Sequence, residues 1–450
     1  MSKNDSRLLS DRYVHIEQPL KTKIRFPLKP KNVICNVFFL LLQYDFVMKS
    51  LKTLLMLGPG PSSSHTIGPY RIALSFKKAL LSKKVKKIIV TLFGSLALTG
   101  KGHSTDAIIK ETFAGKDCEV LFNPSFKGIA HPNTMECEAL LEDGSSITKR
   151  YESIGGGSFL EEGETPSDME RYSFSTFEEL KSYMEKEGIV DAFEVILRND
   201  EKDIFEYGKD MLLHSFQTIQ ESLTKEGTLP GPLRLKRVAK EIYQKAKECH
   251  DEADQRILYL TSYAYAVAES NANNEMIVTA PTCGAAGVVP ACLYYEWKNL
   301  HRSLDDLAKA YLVGALVCSF IKENAGVAGA LLGCQSEIGS ASSFASASLA
   351  YLNKLSLYQI EYAAEVAMEH FLGLTCDPVN GYVQIPCIER NGIAAIHAYS
   401  SYLYAKTIAL SRKNTVSFDN VIKAMKATGD ELPQDLKETS LGGLASVICK

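Results

Sequence analysis

The sequence lacks a strong excess of charge of either sign. Its 50 Lys and Arg residues nearly balance its 53 Asp and Glu residues, which leaves a formal net charge of −3. Proteins that bind nucleic acid or anionic membranes by electrostatics need a concentrated basic patch, and this composition does not supply one. The charge balance therefore favours a small-molecule partner over nucleic acid or a membrane.

A membrane-spanning run and a disulfide framework are also missing. The apolar stretch Val37–Leu42 falls far short of the roughly 20 residues that a membrane helix needs, and no signal-peptide cleavage site follows it. Eleven cysteines in 450 residues are too sparse for a disulfide scaffold, and their odd number leaves at least one unpaired. We therefore expect a cytoplasmic protein with mostly buried, reduced thiols. We expect residues 1–47 to be an N-terminal extension that results from a misassigned start site, and we expect the functional protein to begin at Met48.

The chain is longer than a single hydrophobic core supports, so we expect at least two domains. Strand-like and helical patterns alternate at first: Lys87–Gly94 predicts a buried strand, and Asp143-Gly144 predicts a turn between two shorter strands. Later, helical periodicity dominates, and the Ala- and Ser-rich stretch Ala341–Ala350 predicts a helix buried on all sides. The sequence thus predicts three parts: an α+β N-terminal domain over 48–200, a linker region over 201–236 and an all-α domain over 237–450.

Three cysteines stand apart because each lies beside glycine or proline, where the backbone can bend a thiolate towards a shared centre. They are Cys334, Cys376 and Cys387. They are too far apart in the sequence to form the Cys-x-x-Cys pairs of zinc ribbons or ferredoxins. Three thiolates would leave one iron of a cubane open as a Lewis acid. Spacing alone leaves open the alternative that these are three unrelated buried thiols.

A polar segment of the N-terminal domain is the second candidate site. Gly60–Thr66 reads Gly-Pro-Ser-Ser-Ser-His-Thr and precedes a helix predicted to start near Pro69. Hydroxyl and backbone N–H groups at a helix N-terminus can hold a carboxylate, although a simple serine-rich cap has the same composition. His65 adds an imidazole that titrates near neutral pH, and His103 and His131 lie in two further polar loops.

These segments resemble the iron–sulfur-dependent L-serine dehydratases of the single-chain bacterial type. The resemblance runs from Met48 to Lys450 and is carried by four motifs: Leu57–Pro69, Ala280–Gly287, Met368–Val379 and Val383–Asn391. It implies that the all-α domain is catalytic and that Cys334, Cys376 and Cys387 hold a [4Fe–4S] cluster. It also implies that the enzyme uses no pyridoxal phosphate, forms a homodimer and converts L-serine to pyruvate and ammonia.

The resemblance extends to the C-terminal tail and to the remaining site residues. Cys449 occupies the place of a displaceable fourth cluster ligand, and the Gly442-Gly443 pair would permit its reach, whereas a frayed terminus with an idle thiol is the alternative. For the general base we expect His65 first, then His103 and His131. For substrate binding we expect Ser62, Ser63, Ser64, Thr66, Lys101 and Asn133.

Several alternatives stay open at the level of sequence. The same chemistry could act on threonine or cysteine, because Cys283 stands where the family usually has Asn. A non-catalytic amino-acid sensor and an electron-transfer protein are two further alternatives. In either of them, Cys334, Cys376 and Cys387 would have a role other than holding a catalytic cluster. A pyridoxal-phosphate dehydratase is suggested by Pro124–Lys127 and Gly155–Gly157, but these lie closer together than that fold places them.

Overall fold

The computed structural model describes residues 47–163 and 170–448. The predicted extension, apart from Val47, and Cys449 with its neighbour Lys450 lie outside the described residues. The strands are β1 Met48–Lys49, β2 Leu57–Pro59, β3 Val85–Phe93, β4 Cys118–Asn123, β5 Thr134–Leu141, β6 Ser146–Gly155, β7 Ser158–Glu161, β8 Glu170–Tyr172 and β9 Met276–Val278.

Helices make up most of the second half of the chain. They are α1 Gly68–Ala79, α2 Gly94–Thr99, α3 Thr105–Thr112, α4 Phe177–Glu187, α5 Ala192–Asn199, α6 Ile204–Ser222, α7 Ala239–Glu248, α8 Glu252–Ala272, α9 Val288–Lys298, α10 Leu304–Asn324, α11 Gly329–Leu332, α12 Ser340–Leu352, α13 Leu357–Glu369, α14 Cys387–Ile408, α15 Phe418–Glu431 and α16 Gly443–Ile448. Among the described residues, no helix combines the length and the hydropathy needed to cross a bilayer.

The N-terminal part is built on a five-stranded sheet in the order β4-β3-β5-β6-β7. β3 pairs in parallel with β4 and antiparallel with β5. Its buried residues Ile88, Val90 and Leu92 alternate with more exposed ones, which is the period-two pattern of a strand with one face on a core. Phe76 of α1 and Phe113 join the same hydrophobic cluster. The predicted α+β character of this part is confirmed.

The C-terminal part is a helical body centred on α12. Nearly every residue of this helix is buried, so the prediction from its Ala- and Ser-rich sequence is confirmed. Its hydroxyl groups donate to backbone carbonyls of the neighbouring helix: Ser343 Oγ to Ala364 O at 2.7 Å and Ser346 Oγ to Ala363 O at 3.0 Å. Small side chains allow the close approach, and the hydrogen bonds satisfy the buried hydroxyls.

Contacts tie the start of the described chain to the helical body. β2 pairs antiparallel with β9, with Leu57 opposite Val278. Met48 and Phe177 belong to the same hydrophobic cluster as the central helices rather than to the core of the five-stranded sheet. The helical body therefore includes segments from the start of the described residues as well as from the second half of the chain. The domain boundaries drawn from the sequence stay a prediction.

The predicted segment bounds mostly agree with the structure. The charged segment 177–187 has the periodicity of a helix, and the structure gives one over Phe177–Glu187, where Thr176 and Glu179 form a capping box. Helical periodicity also extends from Pro232 to Cys249, but α7 begins only at Ala239. The residues before it pair as a bridge between Thr228 and Lys236 instead, in a stretch whose glycines and prolines disfavour a helix.

Candidate active site

The three singled-out cysteines lie at the ends of helical segments. Cys334 precedes a π-helical turn, Gln335–Gly339, that leads into α12. Cys376 follows α13 in an irregular segment, and Cys387 is the first residue of α14. The Sγ atoms of Cys334 and Cys376 and a carboxylate oxygen of Glu337 all lie within 4.8 Å of one another. This group could hold a metal.

The charges around the thiols make Cys334 a ready thiolate. A hydrogen bond from the Cys376 thiol lowers the pKa of Cys334 to about 6, against the effect of burial, and the positive charge of Arg390 adds to the lowering. The same hydrogen bond raises the pKa of Cys376 well above its usual range. Burial and the negative charge of Cys334 raise the pKa of Cys387. The Cys376 and Cys387 thiols therefore keep their protons near neutral pH until a bound metal replaces them.

Arg390 is held in place by the segment that carries Cys376. Its guanidinium donates to Thr375 O at 2.8 Å and to Asp377 Oδ1 at 3.3 Å, which are the residues on either side of that cysteine. Arg390 lies in the first turn of α14, three residues after Cys387. It thus joins two of the cysteine-bearing segments. The sequence motif contained this arginine, but nothing in its pattern marked it as a partner of the thiols.

Room for a group beside the thiols is left by a glycine. A Cβ atom on Gly329 of α11 would lie 2.7 Å from Glu337 Oε2 and 3.2 Å from Cys376 Sγ. The cysteines are not paired in disulfides. Buried thiols, an adjacent cation and a glycine-lined space suit a soft metal group, because thiolate ligands select zinc, copper(I) or iron–sulfur clusters. The residues present therefore fit a metal group bound through sulfur.

Two buried histidines of the N-terminal part face this thiol group. The ring centroids of His65 and His103 are 4.6 Å apart, and both side chains are inaccessible to solvent. Burial lowers the pKa of His65 well below its usual range, and the nearby His103 adds to the effect. Burial also lowers the pKa of His103 to about 4. Both imidazoles are therefore neutral near pH 7 and able to accept a proton.

A carboxylate from the C-terminal tail lies between the histidines and the thiols. Glu438 Oε1 is 3.2 Å from His65 Nδ1 and 3.8 Å from His103 Nε2. The backbone fixes it: Glu438 N donates to Cys376 O at 2.7 Å, and Glu438 O accepts from Ser95 Oγ at 2.9 Å. The sequence analysis missed Glu438, because a single acidic residue in a tail carries no recognisable pattern.

Hydrogen bonds define which ring nitrogens carry protons. The single hydroxyl proton of Ser95 is donated to Glu438 O. Ser95 Oγ can therefore only accept in its second contact, so His65 Nε2 carries a proton and donates it to Ser95 Oγ at 3.1 Å. The Nδ1–H of His103 donates to Thr99 O at 2.8 Å. The unprotonated nitrogens, Nδ1 of His65 and Nε2 of His103, therefore both point towards the Glu438 carboxyl group.

The serine-rich turn builds the histidine side of the site. Ser62 caps a π-helical turn, Ser63–Ile67, by accepting from His65 N at 3.0 Å, whereas α1, the helix expected near Pro69, begins without a side-chain cap. Ser64 Oγ contacts His65 Nδ1 at 2.9 Å, and Thr66 Oγ1 donates to His103 O at 2.7 Å. Ser63 is buried in the same turn. This network holds the two imidazoles together.

The remaining predicted site residues lie at different depths. Asn133 is fully buried, and among the described residues its Oδ1 has no hydrogen-bond partner. His131 is half-buried and accepts from Asn133 N at 3.0 Å through Nδ1. Lys101, by contrast, is exposed, and its ammonium group lies 5.5 Å from the centre of the Phe122 ring. The structure therefore does not bring the Lys101 side chain to the histidines.

A cleft of about 470 Å³ opens beside the buried centre. His131 lines one side, and Ala330 and Lys437 line the other. Ala330 follows Gly329 in α11, and Lys437 precedes Glu438, so the cleft ends next to the groups described above. The cleft therefore lies beside a site whose histidine side chains are buried.

Together, the fold and the site define an enzyme with a centre able to hold a metal on cysteine thiolates, faced by neutral imidazoles. The chain belongs to the serine dehydratase family: residues 132–445 match the serine dehydratase alpha chain and residues 50–125 match the serine dehydratase beta chain. Both parts are joined here in one chain.

Curated relatives agree over nearly their whole length. The chain is 36% identical to the L-serine dehydratase of Streptomyces coelicolor, over 88% of this chain and 98% of that protein. It is 35% identical to L-serine dehydratase 1 of Escherichia coli K12, over 88% of this chain and 99% of the relative. The L-serine dehydratase of Helicobacter pylori strain 26695 is also 35% identical, over 89% and 99%.

Proposed function

We propose that this protein is an L-serine ammonia-lyase, which removes water from L-serine to give aminoacrylate and then pyruvate and ammonia. The observation that carries this proposal is the carboxyl group of Glu438 between three cysteines and two neutral imidazoles. Membership of the serine dehydratase family supplies the substrate class. As the family resemblance implies, we also propose that the enzyme works in the cytoplasm as a homodimer.

Cys334, Cys376 and Cys387 would hold a [4Fe–4S] cluster, with Cys449 as a fourth ligand that substrate displaces. When bound, such a cluster supplies a Lewis acid that makes the β-hydroxyl of serine a better leaving group. The Arg390 guanidinium, beside the three cysteines, offsets the negative charge that their thiolates bring together. This cation supports a set of three thiolates at a site from which water is largely excluded.

Buried polar atoms without partners are available to orient the amino acid. Among the described residues, these include Asn133 Oδ1 and Thr282 Oγ1. A buried hydrogen-bonding atom without a partner costs free energy, so sites that keep one often use it for a ligand. We propose that Asn133 and the Ser62–Thr66 turn hold the polar groups of serine, and that the substrate enters by the cleft beside Lys437.

The general base has to accept the α-proton of serine. The sequence ranked His65 first, but its Nδ1 already contacts Ser64 Oγ. His103 Nε2 has no hydrogen-bond partner among the described residues. We therefore propose His103 as the proton acceptor, with Glu438 sharing that proton and His65 holding Glu438 in place. Such proton transfer typically contributes about 10² to 10⁴ in rate.

Anaerobic preparation with iron and sulfide counting and a pyruvate assay tests the function. We expect iron and sulfide to copurify, L-serine to give pyruvate, and Cys376→Ser to lose both iron and activity. Cys318→Ser is a matched control, because Cys318 is buried in α10 and is not part of the thiol group. Pyruvate formation by iron-free protein, or an unchanged rate in Cys376→Ser, would exclude the cluster.

A further inference from the structure

A second cleft, of about 620 Å³, lies on the helical body. It is bounded by α13, α14 and the loop that follows α14. None of the residues that line it belongs to the thiol group or to the histidine pair. Its acidic, basic and phenolic residues are Tyr362, Glu365, Glu369, Tyr404, Arg412 and Lys413, and two histidines, His370 and His397, line it as well.

Glu365 is the unusual member of this cleft because it is buried without a cation. Glu365 is only 1% exposed, and its Oε2 accepts a hydrogen bond from Asn414 Nδ2 at 3.1 Å. The other oxygen, Oε1, has no hydrogen-bond partner among the described residues. One turn earlier on the same helix, Glu361 is paired with Lys181 at 2.8 Å. The chain thus pairs Glu361 with a cation, whereas Glu365 has no such partner among the described residues.

Glu369, one turn after Glu365, lines the same cleft, and its Oε1 lies 3.4 Å from Nδ1 of the exposed His370. Carboxylates four residues apart on a helix repel each other, and both offer only acceptor oxygens when ionised. Burial raises the pKa of Glu365 to about 8, and the negative charge of Glu369 adds to the effect. The space beside these two groups therefore needs a proton or a cation.

The mouth of the cleft carries the opposite charge. Arg412 and Lys413 are exposed there, and no ion pair is formed by either residue within the described part of the chain. The Arg412 guanidinium donates instead to the hydroxyls of Tyr404 and, at 3.4 Å, Tyr362. The cleft is thus acidic inside and basic at its rim, with aromatic side chains between.

We propose that this cleft binds a compact amine that also carries an anionic group. The ammonium end contacts the carboxylates of Glu365 and Glu369, and the anionic end contacts Arg412 and Lys413. A bare metal ion fits less well, because the only group of described residues whose potential ligand atoms converge within 4.8 Å is the one at Cys334, Glu337 and Cys376. The proposal does not depend on the proposed reaction.

Calorimetric titration of the full, anaerobically prepared chain tests the ligand class, with four probes: 4-aminobutyrate, ethanolamine, acetate and Mn²⁺. We expect 4-aminobutyrate to bind saturably. Ethanolamine should bind about tenfold more weakly, a loss of about 1.4 kcal/mol for one missing ionic contact. Acetate and Mn²⁺ should give no saturable heat at this cleft. Failure of both amines to bind would overturn the proposal and leave a proton as the occupant. Equal binding of acetate, or binding of Mn²⁺ alone, would also overturn it.

Variants of the cleft residues test whether 4-aminobutyrate binds at this cleft. Glu365→Gln keeps the shape of the side chain, and it should weaken 4-aminobutyrate at least tenfold, whereas the matched control Glu361→Gln should not. Arg412→Gln leaves Lys413 in place, so it should weaken 4-aminobutyrate towards the level of ethanolamine and leave ethanolamine unchanged. If Glu365→Gln fails to fold, Arg412→Gln still tests whether binding occurs at this cleft, because Arg412 is exposed. Wild-type affinity in either Glu365→Gln or Arg412→Gln would overturn the assignment.

Discussion

At the scale of single residues, the candidate site depends on side chains whose surroundings differ from those of an exposed residue. Burial raises the pKa of Glu438 well above its usual range, and the negative charges of Glu337 and Cys334 add to the effect. Burial has the opposite consequence for His65 and His103, because it disfavours the charged form of each group. A neutral carboxyl group beside two neutral imidazoles can pass a proton without separating charge.

Replacing Glu438 by Gln tests this proton-sharing role. The amide preserves the shape and the backbone contacts but cannot exchange a proton, so we expect kcat for serine to fall by about 10² to 10⁴ while the iron content stays unchanged. Glu431→Gln is a suitable control because Glu431 is exposed on α15. A Glu438→Gln enzyme with kcat near that of wild type, at equal iron content, would remove Glu438 from the mechanism.

The pH dependence of stability follows from the buried His103. The unfolded chain takes up this proton near the ordinary value of 6.5, whereas the folded protein does so only near a pKa of about 4. The contribution of His103 is therefore fully present above about pH 6.5 and is lost as the pH falls, by at most about 3 kcal/mol.

Urea unfolding at neutral and acidic pH measures this loss. His103→Asn should lose less stability on acidification than wild type, whereas His214→Asn, on the exposed side of α6, should behave as wild type. If His103→Asn and wild type lose the same stability between about pH 6.5 and about pH 4, burial of the neutral imidazole is not the cause.

At the scale of elements, close packing of helices sets the geometry behind the cysteines. Cys334 leads directly into α12, so the position of this helix determines where the Cys334 thiol lies. α12 approaches α10 at Gly314, where a Cβ atom would lie 2.1 Å from Ser348 Oγ and 2.5 Å from Phe344 O. Phe344 O is a backbone atom, so it cannot move away from a new Cβ atom unless α12 itself moves.

Gly314→Ala therefore sets two effects against each other. Alanine favours a helix over glycine by about 1 kcal/mol, but overpacking costs about 1 to 3 kcal/mol when backbone must shift. We expect a net loss of stability, measured as a lower thermal midpoint. In Gly208→Ala, the new Cβ meets only the side chain of Leu312, so a smaller loss is expected. A higher midpoint for Gly314→Ala would show that the helices separate easily.

At the scale of the whole molecule, the tail joins the sheet-based part to the helical body at the candidate site. Ser440 Oγ donates to Pro378 O at 2.6 Å, and Leu444 N donates to Asp377 Oδ2 at 2.8 Å. Asp377 also accepts from Arg390. The segment that carries Cys376 thus anchors both the tail and the cation beside the thiols.

Two truncations separate the roles of this tail. Removing residues 437–450 deletes Glu438, so we expect serine turnover to fall by about 10² or more, since proton transfer is lost. Removing residues 443–450 deletes α16 and the last two residues but keeps Glu438, so we expect measurable turnover. This truncation also removes Cys449, the proposed fourth ligand, so we expect air to bleach the cluster faster than in the full chain. Near-normal turnover by the longer truncation would contradict the placement of Glu438 in the site.

Sequence patterns predicted much of the architecture for identifiable physical reasons. The apolar run Lys87–Gly94 specified a strand, and the small residues of α12 specified a buried helix. The serine-rich segment does contain a cap, but Ser62 caps the turn Ser63–Ile67 rather than α1. Local patterns did not mark Arg390, because its partners Thr375 and Asp377 come from another segment of the chain. The role of Lys101 in substrate binding stays a prediction.

The sequence by itself therefore determined the family of this protein, the order of its α+β and helical parts, and its short polar and cysteine-bearing motifs. These depend on local periodicity and on residue types that lie close together in the chain. Only the tertiary structure decided that Glu438 meets His65 and His103 beside the thiols. That meeting joins segments separated by more than 300 residues (Ser95 and Glu438 are 343 apart), and no local pattern encodes such a contact.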